Sequence, residues 1–324
     1  MKKETTTGFS NSAEIIKQNS ERCAMILAGG DGTRLKTLTR KILGDERPKQ
    51  FCPILNDETL LTMTQKRVGL KIEAKNTFYS LTQKHEKFYR PLLDNLSNHQ
   101  LIVQPENKGT APAILYGLLR LAKISPAATV AFFPSDHYFS DDAAFMNSVE
   151  SAFGIAEINP QSIVLLGIEP EKPEPSYGWI EPVESLFGSL SKSVSQVKRF
   201  WEKPSFESAQ NLMLKGCLWN SFVMIGKVGT FLSLFQKHLP DLYRMFAATS
   251  AVFETSAEIP TMRSLYAWIN EVNFSSDVLE KCAKELFVMR VGDVGWSDWG
   301  EPNRVMGTLS KLGVQLEWMR IANC

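Results

Sequence analysis

Paired cysteines, a dominant charge sign and long apolar runs are all missing from this 324-residue chain. Its five cysteines, Cys23, Cys52, Cys217, Cys282 and Cys324, show neither CxxC nor Cys/His zinc spacing, and an odd count suits free thiols in a reducing compartment better than a disulfide framework. With 36 Lys and Arg against 35 Asp and Glu, the net charge is +1, so no global field draws nucleic acid or an anionic membrane surface. Any phosphate chemistry must therefore use local charge. No stretch approaches ~18 uninterrupted apolar residues, and the opening MKKETTTGFSNSAEIIKQNSER lacks the apolar run of a signal peptide. The expectation is a soluble, cytoplasmic protein without nucleic-acid or membrane partners. Internal repeats and low-complexity tracts are also missing.

What is present is 44% hydrophobic residues, enough for a large core. Residues 1–21 are rich in Ser, Thr, Asn, Lys and Glu without a strong period and read as a flexible tail. From Cys23 onward, short apolar runs alternate with helical patterns: CAMILA, then a helix near Glu58–Val68; TFYSLT, then Gln83–Asn95; QLIVQ, then Thr110–Lys123; TVAFFP, then Asp141–Glu157; and SIVLLGI. Such alternation predicts an α/β fold, a Rossmann-like mixed, mostly parallel sheet flanked by helices. After Ile168 the Pro-rich EPEKPEPSYG changes the pattern to antiparallel strands around Gly178–Pro182 and Ser193–Glu202, a smaller extension. Helices follow at Phe206–Leu214 and Val228–His238, then a last strand in LFVMRVGDVGW. The reading divides the chain into the tail, a main domain at 22–300 with halves at about 22–168 and 169–300, and a helical segment at 301–324.

In CAMILAGGDGTRL an apolar strand runs straight into Ala28, Gly29, Gly30, Asp31, Gly32, Thr33 and Arg34. Small residues at the carboxyl end of a central strand are where open α/β sheets bind ligands. Glycines there let backbone N–H groups approach phosphate oxygens. The spacing is neither the GxxxxGK[ST] of a P-loop nor a full GxGxxG fingerprint with its acidic partner, which removes the P-loop and NAD-dependent oxidoreductase readings. On glycines alone an ordinary tight turn stays open, and Arg34 adds a guanidinium fork suited to phosphate.

AGGDGTRL followed by RPKQF at Arg47–Phe51 resembles the opening motif of the sugar-1-phosphate nucleotidyltransferases, and its PKQF ending resembles the mannose-1-phosphate guanylyltransferase (GDP-mannose pyrophosphorylase) branch. QPENKGTAPAI, FPSDH, YGWIEP, FWEKPS and WNSFVMIG follow in that family's order, so the resemblance covers roughly residues 23–300. Lys36 and Thr37 stand where the family usually has a Trp-Pro pair, and KILGDE lengthens the loop Lys36–Glu46. The chain ends at Cys324, so a single activity without the isomerase domain of some bacterial members is expected.

The resemblance implies attack of a sugar-1-phosphate oxygen on the α-phosphorus of a nucleoside triphosphate, with Mg²⁺ as cofactor. The partners implied are GTP and mannose 1-phosphate, a homodimer being left open. The attacking oxygen is already anionic, so catalysis has to come from positioning and from cations. The residues expected to act are Arg34 and Lys49 on the triphosphate, Asp136 and Asp298 on the metal, and Lys203 on the phosphate of the sugar. Ala28, Gly29, Gly30, Gly32, Thr33, Gln104, Gly109 and Thr110 are expected to bind the nucleotide. Gly178, Glu202 and Asn220 are expected at the sugar, on the antiparallel extension. Each has a bland alternative: a turn or capping Asp136, a solvated Lys49, an N-capping Thr110. His137 reads as structural, Asp293 is a weaker competitor for the metal, and Trp179, Trp201, Trp219, Trp296 and Trp299 read as core or pocket wall. The other readings are a nucleotidyltransferase for another sugar or nucleotide, and a catalytically inactive nucleotide-sugar-binding regulatory protein.

Overall fold

Apolar strands too short to bury themselves have to share one sheet, and here they share a nine-stranded one. The structure is a computed structural model that describes residues 21–183, 194–316 and 318–319. The tail expected at residues 1–21 therefore lies outside the described residues, Glu21 excepted, as do Ser193 and the last five positions. The strands are β1 (Arg22–Leu27), β2 (Thr77–Thr82), β3 (Leu101–Gln104), β4 (Thr129–Pro134), β5 (Ile163–Ile168), β6 (Gly178–Pro182), β7 (Val194–Glu202), β8 (Leu218–Lys227) and β9 (Leu286–Val291). They lie in the order β3-β2-β1-β4-β8-β5-β9-β7-β6, with β6 also touching β8.

In β3-β2-β1-β4 all pairs are parallel. The chain steps outward from β1 to β3, then returns to the other side of β1 as β4. That reversal opens a crevice at the carboxyl ends of β1 and β4, where doubly wound sheets take their ligands. β8 runs antiparallel between β4 and β5, and β5 pairs with β9 in parallel. The sheet is thus mixed, as expected, but its antiparallel strand β8 sits at the centre, in the WNSFVMIG stretch where no strand was expected.

The helices are α1 (Lys36–Leu43), α2 (Leu60–Gly69), α3 (Glu86–Tyr89), α4 (Thr110–Ile124), α5 (Asp142–Ile158), α6 (Phe206–Leu214), α7 (Val228–His238), α8 (Pro240–Ala247), α9 (Glu258–Trp268), α10 (Phe274–Asp277) and α11 (Pro302–Lys311). Their starts follow capping chemistry. Thr59, Asp141 and Ser205 accept hydrogen bonds from the backbone N–H of Thr62, Ala144 and Ser208. α1 occupies the inserted loop and stops at Gly44, whose φ of 78° lies in the left-handed region. The single helix expected over Gln83–Asn95 is instead three short turns, with Pro91 inside the last of them; a proline has no N–H to continue a helix. The last strand is likewise shorter than its motif, ending at Val291 before Gly292.

Period-two alternation sorts the strand side chains into two cores. Met25, Phe132, Leu165 and Met224 face α4 and α7, while Ile26, Phe133, Val164 and Ile225 face α2 and α5. β2, β4 and β5 are buried at all six positions, which explains their near-continuous apolar composition. Phe132 is fully buried and meets Phe231 edge-on at 5.1 Å between ring centroids. Phe132→Ala is expected to cost about 3–5 kcal/mol, read as a lower urea midpoint, whereas Phe206→Ser, at a residue 56% exposed, leaves the midpoint unchanged. Equal midpoints for the two variants would contradict this placement of the core.

Candidate active site

The turn after β1 is held open from behind by side chains of other segments. Ala28 donates its N–H to the Ser80 carbonyl at 2.8 Å. Gln50 Nε2 donates to the carbonyls of Ala28 and Gly30 at 3.1 and 2.7 Å, and Thr82 Oγ1 donates to that of Gly29 at 2.8 Å. A Cβ on Gly29 would lie 2.8 Å from Thr82 Oγ1 and 2.9 Å from Gln104 Nε2, so packing demands glycine there. Gly30 has nothing within 4 Å of a Cβ and faces open space. Gly32 adopts φ 55° and starts the short turn that carries Thr33 and Arg34. Both are exposed. Asp31 ties the turn to its surroundings through Lys84, through His85 at 3.3 Å and through Asn107 at 3.2 Å.

At the end of β4, Asp136 meets Lys49. The Lys49 ammonium is buried, 3.2 Å from Asp136 Oδ2, and donates to the carbonyls of Asp298 and of Trp299, the latter at 3.1 Å. One cation thus joins the segment after the glycine turn, the β4 terminus and the loop after β9. Asp298 Oδ1 accepts from Arg304 Nη1 at 2.6 Å, Tyr177 Oη at 2.8 Å and the Gly300 N–H at 2.9 Å. Burial works against ionisation of Asp298, but His137, Lys49 and Arg304 outweigh it and hold the carboxyl at about 2. His137 accepts from Trp296 Nε1 at 3.2 Å through Nδ1, and burial pushes its imidazole down to about 4. It is therefore neutral near pH 7, in keeping with a structural role, and Lys49 and Arg304 supply the charge that keeps Asp298 ionised. Arg34 lies beside this group, its Nη2 3.1 Å from where a Cβ on Gly300 would sit.

A second group forms on β6, β7 and β8. Gly178 pairs in register with Glu202, and a Cβ on Gly178 would stand 3.2 Å from Glu202 Oε2 and 3.4 Å from Asn220 Cβ. Burial raises the Glu202 carboxyl. Lys203, at φ 47°, is exposed and pairs with Glu202 at 3.4 Å. Asn220 is buried, and its Oδ1 accepts from the Phe222 N–H at 3.0 Å, which shapes the β8 bulge and sets Phe222 at φ 59°.

Between the strand ends lies a cavity of about 370 Å³. Of the residues expected to bind nucleotide or metal, Gly29, Gly30, Gln104, Gly109, Thr110 and Asp136 line it. Ala28 does not, since it is fully buried with its N–H and carbonyl both engaged. Thr33 lines a different cavity, of about 410 Å³, with Lys36, Lys84 and His85. Lys49 and Asp298 stand behind Asp136, outside the cavity lining. Gly178, Glu202, Lys203 and Asn220 form their own cluster, which meets the cavity through Phe222.

Thr110 does not cap α4. Gly109 holds that position, at φ 87°, where a Cβ would collide with the Val272 carbonyl, and Thr110 Oγ1 accepts from the Phe274 N–H at 2.8 Å. The residues that sequence reasoning missed are Gln50, Asn107, Phe222, Glu271, Asn273 and Arg304. Gln50 stood inside the RPKQF motif, and Asn107 inside QPENKGT. Nothing local pointed to Glu271, Asn273 or Arg304, which arrive through contacts over long sequence separations.

A family model described as nucleotidyl transferase matches residues 23–311. Mannose-1-phosphate guanylyltransferase of Escherichia coli (strain K12) is 30% identical over 282 residues, covering 85% of this chain and 57% of that protein. Alginate biosynthesis protein AlgA of Pseudomonas fluorescens is 29% identical over 283 residues, covering 85% and 56%. The chain spans little more than half the length of these curated relatives. The crystal structure of a mannose-1-phosphate geranyltransferase from Thermus thermophilus superposes with a TM-score of 0.73 at 29% identity, over 86% of this chain and 76% of that one. A UDP-glucose pyrophosphorylase complexed with UDP-glucose shares the fold at a TM-score of 0.53 and 16% identity, over 90% of this chain and 98% of that one.

Lys49→Met removes the cation from Asp136 and two carbonyls, and is expected to cost about 1–3 kcal/mol in urea unfolding. Arg34→Met should leave stability unchanged, because no hydrogen bond or ion pair engages Arg34 among the described residues. A Lys49→Met variant as stable as the parent would show that the Nζ contacts are not formed.

Proposed function

The chain belongs to the nucleotidyl transferase family, and from that premise we propose that it transfers a guanylyl group from GTP to mannose 1-phosphate, giving GDP-mannose and pyrophosphate. The observation that carries this reading is the meeting of Lys49, Asp136 and Asp298 beside the glycine turn, at the crevice where β1 and β4 end. Two polyanions have to come together there, and the surroundings supply fixed dipoles and cations for them. Gly29 and Gly30 present backbone to the triphosphate. Arg34, exposed and without an internal partner among the described residues, neutralises the β and γ phosphates as pyrophosphate departs. Gln104, Gly109 and Thr110 wall the nucleoside end.

Gly178, Glu202 and Asn220 face the sugar, and Lys203 takes its phosphate. The names of the relatives support guanine and mannose. The nucleotide half then falls in about 22–168 and the sugar half in about 169–300. No general base is needed, since the attacking phosphate oxygen is an anion at neutral pH.

The donor set fits a hard cation such as Mg²⁺. Asp136 is about one-third exposed toward the cavity, and Asp298 keeps Oδ2 apart from the three donors that hold Oδ1. Among the described residues no three His, Cys, Asp or Glu side chains converge, so the remaining ligands would come from phosphates and water. When bound, the ion would neutralise charge between the nucleotide and the departing pyrophosphate.

Pyrophosphate release, assayed over a matrix of nucleoside triphosphates and sugar 1-phosphates, should be fastest for GTP with mannose 1-phosphate, should vanish with EDTA and should return with Mg²⁺. No turnover of that pair would overturn the proposal. Asp136→Asn and Asp298→Asn are each expected to lower kcat by orders of magnitude with the fold intact by circular dichroism; near-parental rates in both would remove the metal assignment. Lys203→Ala should raise KM for mannose 1-phosphate more than for GTP, and an unchanged response to the sugar phosphate would take Lys203 out of the site.

A further inference from the structure

The cavity that receives the nucleotide contains a carboxylate in a place that repels phosphate. Glu271 lines it together with Asn107, Gly109, Thr110 and Asn273, beside the start of α4. The segment that carries Glu271 is fixed in place: Val272 donates its N–H to the Lys108 carbonyl at 3.0 Å and accepts from the Ala111 N–H at 3.1 Å. The Glu271 side chain packs on Gly109, its Cγ 3.2 Å from where a Cβ would sit. No hydrogen bond or ion pair engages its carboxylate among the described residues.

The expected reader of the base, Gln104, is largely committed elsewhere. Its Nε2 donates to Ser80 Oγ at 3.2 Å and to the Leu81 carbonyl at 3.4 Å, and its Oε1 accepts from Tyr266 Oη at 3.1 Å. Asn107 is also occupied, donating to Asp31 and accepting from the Gly109 N–H at 3.0 Å. Asn273 spends its oxygen on the N–H groups of Ser275 and Ser276. Glu271 thus offers two free acceptor oxygens at the nucleoside end of the cavity.

We infer that Glu271 selects the base by accepting hydrogen bonds from guanine N1–H and the 2-amino group. Among the common bases only guanine presents two adjacent N–H donors on one edge, the pattern a carboxylate matches. Adenine and cytosine offer one amino group beside an acceptor, and uracil a single N–H. This inference rests on the proposed guanylyl transfer. It moves base selection from Gln104 to a residue 167 positions later in the chain.

GDP and IDP, which differ only in the 2-amino group, separate the two propositions because their binding needs no turnover. Calorimetry with Mg²⁺ should give the parent a preference for GDP over IDP of about tenfold or more, as expected for a hydrogen bond to a charged acceptor. Glu271→Ala should bring the ratio close to one by weakening GDP, which loses two hydrogen bonds, about tenfold more than IDP, which loses only the one from N1–H. A ratio retained in Glu271→Ala, or GDP and IDP weakened equally, would overturn the inference. Tight guanine selectivity without turnover of mannose 1-phosphate would count against the proposed reaction and leave the base assignment standing, provided the ratio collapses in the variant.

Discussion

Everything at the carboxyl end of the sheet depends on one buried ammonium. Lys49 lies in a short turn after the helical insertion, yet its Nζ reaches Asp136 from β4 and the carbonyls of Asp298 and Trp299 from the loop after β9. A lone buried ammonium would be costly, and so would a lone carboxylate near the core. Together with two carbonyl oxygens they satisfy each other, and the geometry this imposes brings three distant segments to one point. The same contacts put Asp298 where Arg304 and Tyr177 can hold its other side.

That arrangement separates binding from anchoring. Lys49 and Arg304 are committed within the protein, while Arg34 and Lys203 stand exposed on either flank. A reaction between two polyanions needs cations that can meet incoming charge and others that keep the carboxylates ionised and in place. The site contains both kinds. Its acidic members are divided in the same way: Asp136 and Asp298 beside the cations, Glu202 against the strand pair, and Glu271 against Gly109 in the cavity lining.

Much of the fold was legible in the sequence because burial on both faces leaves a plain mark. TVAFFP and IVLLGI are strands for that reason. β8 escaped notice because its run is interrupted by polar Asn220 and Ser221, whose side chains serve a bulge rather than solvent: Ser221 Oγ donates to the Leu166 carbonyl at 2.6 Å, and Asn220 holds the Phe222 N–H. The helix expected after β2 failed on Pro91. Of the candidate site, the glycine turn, Asp136 and the Gly178–Glu202 pair lay within motifs and fall where a sheet of this topology would put them. The commitments of individual polar groups were not legible, since they depend on partners far along the chain. Gln104 with Tyr266, and Arg304 with Asp298, are such cases.

The central claim is that the crevice at the ends of β1 and β4 takes the nucleotide, with its phosphates over the glycine turn and beside the carboxylates that Lys49 and Arg304 hold in place. A crystal structure of the protein soaked with GDP-mannose and Mg²⁺ tests it most directly. The account predicts diphosphate density over Gly29 and Gly30, with an ion between that density and the carboxylates of Asp136 and Asp298, and the hexose against Gly178, Glu202 and Asn220. Nucleotide density in another cavity, or an ion bound without either aspartate, would contradict it.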